Sequence, residues 1–152
     1  MKKFGVSLAL AALAAAACWS TPAQAAQSVS MRLSNGTTNT CTVTAIAPRM
    51  TSTTKKTMAI SARVKCTAAA TVTVTIGAVE LDATAEQLQV ADRSYRVSVR
   101  AGATVTVAGP TFTCVNTEPD KEEIATKARV AFSSTVVSPV DRTVPRNNQY
   151  AC

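Results

Sequence analysis

The segment MAISARVKC, residues 58–66, alternates apolar and polar residues from Met58 to Cys66. Successive side chains of a β-strand point to opposite faces, so this period of two predicts a strand with one buried face. Arg63 and Lys65 fall on the opposite, outward face. The apolar row ends at Cys66, which places a cysteine on the face that packs against the rest of the protein.

Strand patterns of this kind recur along the chain, in segments rich in Val, Ile and Thr that are separated by turn residues. The predicted strands cover residues 40–47, 56–66, 71–81, 86–91, 94–100, 103–107, 111–115 and 127–137. Gly77 is interpreted as a bulge and Gly109-Pro110 as a turn. The tail contains Pro139 and Pro145 and is expected to hold only a short edge strand.

Short strands at this spacing, without a long helical pattern between them, predict an all-β fold. We expect a small immunoglobulin-like β-sandwich of about 7–8 antiparallel strands, with a small barrel as the alternative. Aromatic residues make up only 4% of the chain, and the predicted core is mainly Val, Ala and Ile. Because a core of small side chains gains less from burial, disulfides contribute more to stability.

The N-terminus has the pattern of a secretory signal peptide. Lys2 and Lys3 precede an apolar run shorter than the roughly 20 residues that span a bilayer. The sequence AQA at residues 23–25 fits the small-residue cleavage site. The sequence AAAC at residues 15–18 resembles a bacterial lipobox, in which the cysteine is lipidated, but that motif usually has Leu where Ala15 stands. We therefore expect cleavage after residue 25, with a lipoprotein anchored through Cys18 as the alternative.

The predicted cleavage divides the chain into three parts. Residues 1–25 are the signal peptide, residues 26–39 are expected to be a flexible lead-in, and residues 40–152 are expected to form a single β-sandwich domain. The mature protein is expected to be secreted or periplasmic, in a bacterial host.

Removing the signal peptide leaves Cys41, Cys66, Cys114 and Cys152. An even number of cysteines in an exported chain predicts two disulfides, and no CxxC spacing points to a redox or zinc site. A hairpin of the first two predicted strands places Cys41 opposite Cys66, which favours the pairs Cys41–Cys66 and Cys114–Cys152. An immunoglobulin-like bridge, Cys66–Cys114 with Cys41–Cys152, is an alternative that the sequence leaves open.

The chain contains no histidine, which is the commonest general base and metal ligand. A Ser–His–Asp triad is therefore impossible. Ser52 and Lys55 match the SxxK pattern, but they fall in a predicted hairpin loop without the companion motifs of that enzyme class. We expect a non-enzymatic protein with no catalytic residues, no cofactor and no metal site.

The densest acidic stretch is NTEPDKEE, residues 116–123. Its carboxylates offer oxygen ligands for calcium, but the EF-hand spacing is absent and Lys121 lies among the acids. Acidic residues after Pro119 are typical of the first turn of a helix. We interpret the stretch as one helical turn within a loop.

The mature chain is basic. Without residues 1–25, which include two of the 16 basic residues, it has 14 basic and 9 acidic side chains and a net charge of +5. The residues Arg63, Lys65, Arg96, Arg100 and Arg129 are predicted to point outward, and they form one basic face if their strands are neighbours. Such a face suits an anionic envelope polymer or another protein. Nucleic acid is not expected, because no aromatic stacking platform accompanies the arginines.

These patterns favour a non-enzymatic binding or structural module at or outside the cell envelope. The pairing of an early cysteine, Cys41, with one near the end of the second strand, Cys66, also resembles that of secreted pilus-type and spore-coat-like subunits. That resemblance implies a structural subunit as an alternative. A protease inhibitor is a further alternative, for which Arg49-Met50 in AIAPRMTSTT would be an exposed bait bond.

Overall fold

A computed structural model shows the protein as two packed β-sheets. It describes residues 26–81, 86–115, 122–143 and 149–152. The expected signal peptide, and with it the lipobox alternative at Cys18, lies outside the described residues.

The described part of the chain consists mainly of β-strands. The strands are β1 (Gln27–Arg32), β2 (Thr38–Ser52), β3 (Thr57–Cys66), β4 (Ala70–Leu81), β5 (Glu86–Val99), β6 (Thr104–Thr113), β7 (Glu122–Ala131), β8 (Asp141–Arg142) and β9 (Gln149–Tyr150).

The strands assemble into two antiparallel sheets. Sheet 1 has the strand order β1-β2-β3-β6, and sheet 2 has the order β5-β4-β7-β8, with β9 also pairing with β7. The chain therefore changes sheets after β3, after β5 and after β6. The prediction of an all-β, sandwich-like fold is confirmed, and the two-residue strands β8 and β9 match the short edge strand expected of the tail.

The core lies between the two sheets and consists of small and medium apolar side chains, as the composition predicts. The core members that are at most 1% exposed include Val43, Met58, Ala62, Val64, Val72, Val74, Ile76, Ala78, Ile124 and Val130. The aromatic side chains of Tyr95, Phe112, Phe132 and Tyr150 are only partly buried and pack at its margin.

The first two long strands form the predicted hairpin, in which Cys41 lies directly opposite Cys66. The disulfides are Cys41–Cys66 and Cys114–Cys152. The connectivity favoured by the hairpin is therefore confirmed, and the alternative bridges are wrong. Two intramolecular disulfides suggest an oxidising, extracytoplasmic environment.

The segment 26–39, expected as a flexible lead-in, contains strand β1. β1 pairs with the beginning of β2, and Val29 packs against the core. The alternation of Gln27–Arg32 is short, but a neighbouring strand and a partly buried face are enough to order it.

Two predicted breaks fall inside strands. Residues 86–91 and 94–100 join in β5, whose register with β4 shifts on either side of Ala78. Gly109-Pro110, expected to be a turn, lies within β6 at a bulge opposite Ile60, where the register with β3 shifts between Ala59 and Ser61. Glycine is required there because its Cα packs between Ile60 and Ile76, and a Cβ would stand 2.9 Å from each side chain.

The expected helical turn in the acidic stretch is wrong where the structure describes it. Glu122 and Glu123 begin strand β7, and Glu122 is only 1% exposed. Pairing with β4 and β9 on either side of β7 provides backbone partners that an isolated helical turn would lack. The last long strand consequently begins earlier than the predicted 127–137.

Candidate anion-binding surface

The outer face of sheet 1 brings two cations together with rows of hydroxyl groups. Lys65 lies opposite Thr42 on β2 and Thr104 on β6. Arg63 lies opposite Thr44 and Thr106 on the same two strands. Paired residues of neighbouring strands share a face, so each of these two residues has a threonine on both sides, with the Cβ atoms about 5 Å apart across the sheet. We call these six residues the sheet 1 face.

The polar groups of the sheet 1 face are open to a partner. Arg63, Lys65 and Thr44 are exposed, and so are Thr104 and Thr106. Within the described residues, no side-chain hydrogen bond or ion pair engages either cation or any of the four threonine hydroxyls. Their donors are therefore available to a ligand without breaking an internal contact.

The whole of sheet 1 lacks a carboxylate of its own. The residues of β1, β2, β3 and β6 include no Asp or Glu, and the first acid in the chain is Glu80. The same strands and the β2–β3 turn carry the cations Arg32, Arg49, Lys55, Lys56, Arg63 and Lys65. A low density of opposite charge leaves a positive potential that attracts anions. The sequence signal for this separation is the acid-free run from residue 26 to residue 79.

The face is slightly concave at the two cations. A shallow depression of about 340 Å³ is lined by Thr42, Thr44, Arg63, Val64, Lys65 and Thr104. Cations at successive outward positions of one strand stand roughly 7 Å apart. The depression therefore presents two positive charges in line along β3, with hydroxyl groups on both flanks.

The structure places the other predicted basic residues elsewhere. β3 pairs with β2 and β6, whereas β5 and β7 belong to sheet 2. Arg96 and Arg129 therefore lie on the opposite outer face of the sandwich, diagonally across β4, where they face Thr73 and Thr75. Arg100 follows the end of β5. The five cations do not form one continuous face.

On the outer face of sheet 2, several polar groups engage one another. Lys127 forms an ion pair of 3.1 Å with Asp92. The hydroxyl groups of Thr75 and Ser94 are 2.9 Å apart, and those of Thr71 and Ser98 are 3.2 Å apart at the neighbouring end. These contacts leave fewer free donors than the sheet 1 face offers.

Arg100 borders a second and larger depression of about 660 Å³. Its lining consists of Ala69, Ala70, Thr71, Ser98, Val99 and Arg100. Arg100 is its single cation, and the hydroxyl groups of Thr71 and Ser98 already contact each other, which leaves little to orient a charged ligand. The site with convergent polar groups is the smaller depression on sheet 1.

A buried polar side chain fixes the end of sheet 1 beside the Cys41–Cys66 disulfide. The amide of Asn39 is 0% exposed. Its Nδ2 donates to the backbone carbonyl of Ala68 at 3.2 Å, and its Oδ1 accepts bonds from Ala68 N and Thr67 Oγ1. These bonds hold residues 67 and 68, where the chain leaves β3 shortly after Lys65 and crosses to sheet 2.

The carboxylate of Asp141 is 2% exposed and joins the tail to sheet 1. Its Oδ2 accepts a hydrogen bond of 2.6 Å from the backbone N–H of Ala45. Burial raises the pKa of Asp141 above its ordinary value, and backbone bonds from Ala45 and Arg142 oppose part of that rise. Nearby, the hydroxyl of Tyr150 donates to the carbonyl of Pro48, and burial raises the pKa of Tyr150.

The residues considered for chemistry have structural roles in the described region. Ser52 Oγ accepts a bond of 3.1 Å from the backbone N–H of Lys55, as expected of a polar turn. Arg49 and Met50 lie within β2, opposite Ala59 and Met58 of β3, so the bond between them is in a strand and not in the expected loop. Arg49 is exposed, and β1 pairs with β2 only as far as Val43, so the inhibitor interpretation stays a prediction.

No group of three or more acidic or cysteine side chains is placed to hold a metal ion in the part of the chain that the structure describes. Glu122 and Glu123 belong to β7, and residues 116–121 of the acidic stretch lie outside the described residues. The described residues also contain no helix long and apolar enough to cross a membrane.

Comparison with protein-family models gives no match to this chain, and comparisons with curated proteins and with solved structures give none either.

Proposed function

We propose that the protein is an exported, non-enzymatic module that binds an anionic partner at or outside the cell envelope, either an envelope polymer or another protein. The observation that carries this proposal is the outer surface of sheet 1, where unengaged cations and hydroxyl groups stand on strands that contain no acid. Electrostatic attraction of this kind needs no catalytic residue and no cofactor.

Export is supported by two independent features. The sequence of residues 1–25 has the pattern of a signal peptide, and two intramolecular disulfides are typical of proteins in an oxidising compartment. Mass measurement of the native protein tests this part: a chain starting at Ala26 supports free secretion, whereas a lipid-modified start at Cys18 would make it an anchored lipoprotein.

Binding is tested by sedimenting purified protein with envelope fractions at increasing salt. We expect cosedimentation at low ionic strength that weakens as salt rises, because exposed charges are screened over roughly 10 Å at 0.1 M salt. Binding that is unchanged by salt, or no binding to any fraction, would overturn an electrostatic role.

A structural subunit of the pilus or spore-coat type is the second candidate. The observation that favours it is the Cys41–Cys66 bridge between the first two long strands, which matches the resemblance in the sequence. Electron microscopy of native cell surfaces tests it, because such a subunit has to be recovered in ordered polymers.

We also propose an immunoglobulin-like arrangement for the sandwich. Its support is the pair of antiparallel sheets and the repeated crossing of the chain between them, at β3–β4, β5–β6 and β6–β7. The pairing of β2 with β3 within one sheet agrees with the immunoglobulin order, in which the first two strands, A and B, lie in the same sheet. Strand connections in a crystal structure decide the assignment.

A further inference from the structure

We infer that the sheet 1 face is a specific site for the phosphate groups of a linear polyanion. This inference rests on the proposed function and narrows it to one face and one chemical class. Arg63 and Lys65 supply the charge, and the hydroxyl groups of Thr42, Thr44, Thr104 and Thr106 supply neutral hydrogen bonds.

The arrangement of the cations favours a polymer over a single ion. Arg63 and Lys65 occupy successive outward positions of β3, so their side chains begin roughly 7 Å apart and point the same way. A chain with repeated charges that lies along β3 can contact both cations at once. The second contact then forms at a high effective concentration, which strengthens binding beyond that of one phosphate.

The mixture of donors favours phosphate over carboxylate. The planar guanidinium of Arg63 can bond two oxygens of one group, while Lys65 acts as a mobile point charge, and both modes are used for phosphate. The hydroxyl groups outnumber the cations by four to two. An internal phosphate group adds bridging oxygens to its two non-bridging oxygens and arranges all four tetrahedrally, so one group can meet a cation and a flanking hydroxyl group in different directions, which a planar carboxylate does less well.

Charge complementarity also separates this face from the outer face of sheet 2. Arg96 and Arg129 are exposed there, but Asp92 lies on the same sheet, paired with Lys127. An anion that approaches sheet 2 meets a carboxylate, whereas one that approaches sheet 1 meets none on its strands. The inference therefore predicts different results from removing the same amount of charge from each face.

The experiment measures binding of long-chain inorganic polyphosphate to the purified protein across a salt series. The test variant is Arg63→Ala/Lys65→Ala, and the matched control is Arg96→Ala/Arg129→Ala, which removes the same charge from exposed positions. We expect the test variant to lose about ten-fold or more in affinity and to lower the salt slope by up to about two. We expect the control to change affinity by less than about two-fold, as remote charges are screened.

A second pair of variants tests the hydroxyl groups without changing charge. Thr104→Val removes a hydroxyl beside Lys65, and Thr73→Val removes one beside Arg96 on sheet 2. Valine suits a strand, so both variants should fold. We expect Thr104→Val alone to weaken polyphosphate binding by about two- to ten-fold, in line with the loss of one hydrogen bond, with an unchanged salt slope.

The outcomes separate the two proposals. If neither polyphosphate nor poly-L-glutamate binds at low salt, the proposed function itself is wrong. If both double variants weaken binding equally, or poly-L-glutamate binds as tightly as polyphosphate with the same dependence on Arg63 and Lys65, the protein still binds anions but the specific phosphate site is overturned.

Discussion

The carboxylate of Asp141 accepts a 2.6 Å hydrogen bond from the backbone N–H of Ala45, a residue 96 positions earlier in the chain. Asp141 belongs to β8 in sheet 2 and Ala45 to β2 in sheet 1. β2 has its partner β1 only as far as Val43, so Ala45 lies just beyond the paired part of that edge. A side chain from one sheet thus satisfies a buried backbone donor of the other.

Replacing Asp141 with Ala should destabilise the protein. The substitution leaves the Ala45 N–H without its acceptor, and an unsatisfied buried donor costs about 1–3 kcal/mol. Urea unfolding followed by circular dichroism measures the change. Asp92→Ala is the control, because its ion pair with Lys127 is partly exposed and should contribute at most about 1 kcal/mol. Equal effects of the two variants would contradict a special role for Asp141.

The same carboxyl group should make stability depend on pH. Because the pKa of Asp141 is raised in the folded protein, the folded state binds its proton more tightly than the unfolded state. The contribution of this group to the free energy of unfolding is therefore largest below the unfolded pKa and is lost as the pH rises through the folded pKa.

Thermal unfolding of wild type and Asp141→Asn between pH 3 and pH 7 isolates this effect. Asn cannot ionise, so the stability of the variant relative to wild type should rise as the pH increases from the ordinary aspartate pKa of 3.8. A difference between the two proteins that stays constant, or that changes in the opposite direction, would show that Asp141 is not the group responsible.

Gly109→Ala should cost about 1–3 kcal/mol of stability, the usual penalty for overpacking a core. The new Cβ would lie 2.9 Å from Ile60 Cγ1 and Ile76 Cγ2, and 3.1 Å from the Ile60 carbonyl oxygen. Gly77→Ala is the control, because its Cβ would meet the movable side chains of Asp92 and Lys127. Chemical denaturation measures the free energy of unfolding of both variants. A larger loss of stability for Gly77→Ala than for Gly109→Ala would contradict the requirement for glycine at position 109.

The two disulfides should differ in their accessibility to reductant. Cys41 and Cys66 are both 0% exposed, whereas Cys152 is partly exposed at the end of the tail. Brief treatment of the folded protein with reductant, followed by alkylation and peptide mapping, should label Cys114 and Cys152 first. In denaturant the preference should disappear, and early labelling of Cys41 in the folded state would contradict the prediction.

The hairpin of β2 and β3 could be predicted because two local signals agree. The alternation in residues 40–47 and 56–66 defines the inward rows, and the intervening turn sets the register that brings Cys41 opposite Cys66. The sheet partners of β4 and β6 depend on contacts between distant segments, about which a period of two gives no information. The strand β1 was not predicted for a similar reason, since its extended conformation depends on pairing with β2.

Only part of the candidate site could be predicted from the sequence. Alternation showed correctly that Arg63 and Lys65 point outward, but it could not assign Arg96 and Arg129 to the other sheet. The acid-free run 26–79 was a readable signal, because every residue of β1, β2 and β3 lies within it. The run alone does not show that these strands form an acid-free sheet. That conclusion requires the topology, which adds β6, with Thr104 and Thr106, beside β3.

The register of Cys41 and Cys66 has a consequence for the order of folding. A hairpin forms from neighbouring segments in microseconds, so these two thiols can meet before the rest of the chain is arranged. The bond between Asp141 and Ala45, by contrast, spans 96 residues and has to await closure of a long loop. Oxidation of the first pair would therefore precede docking of the tail, and an intermediate trapped early in refolding should carry the Cys41–Cys66 bridge alone.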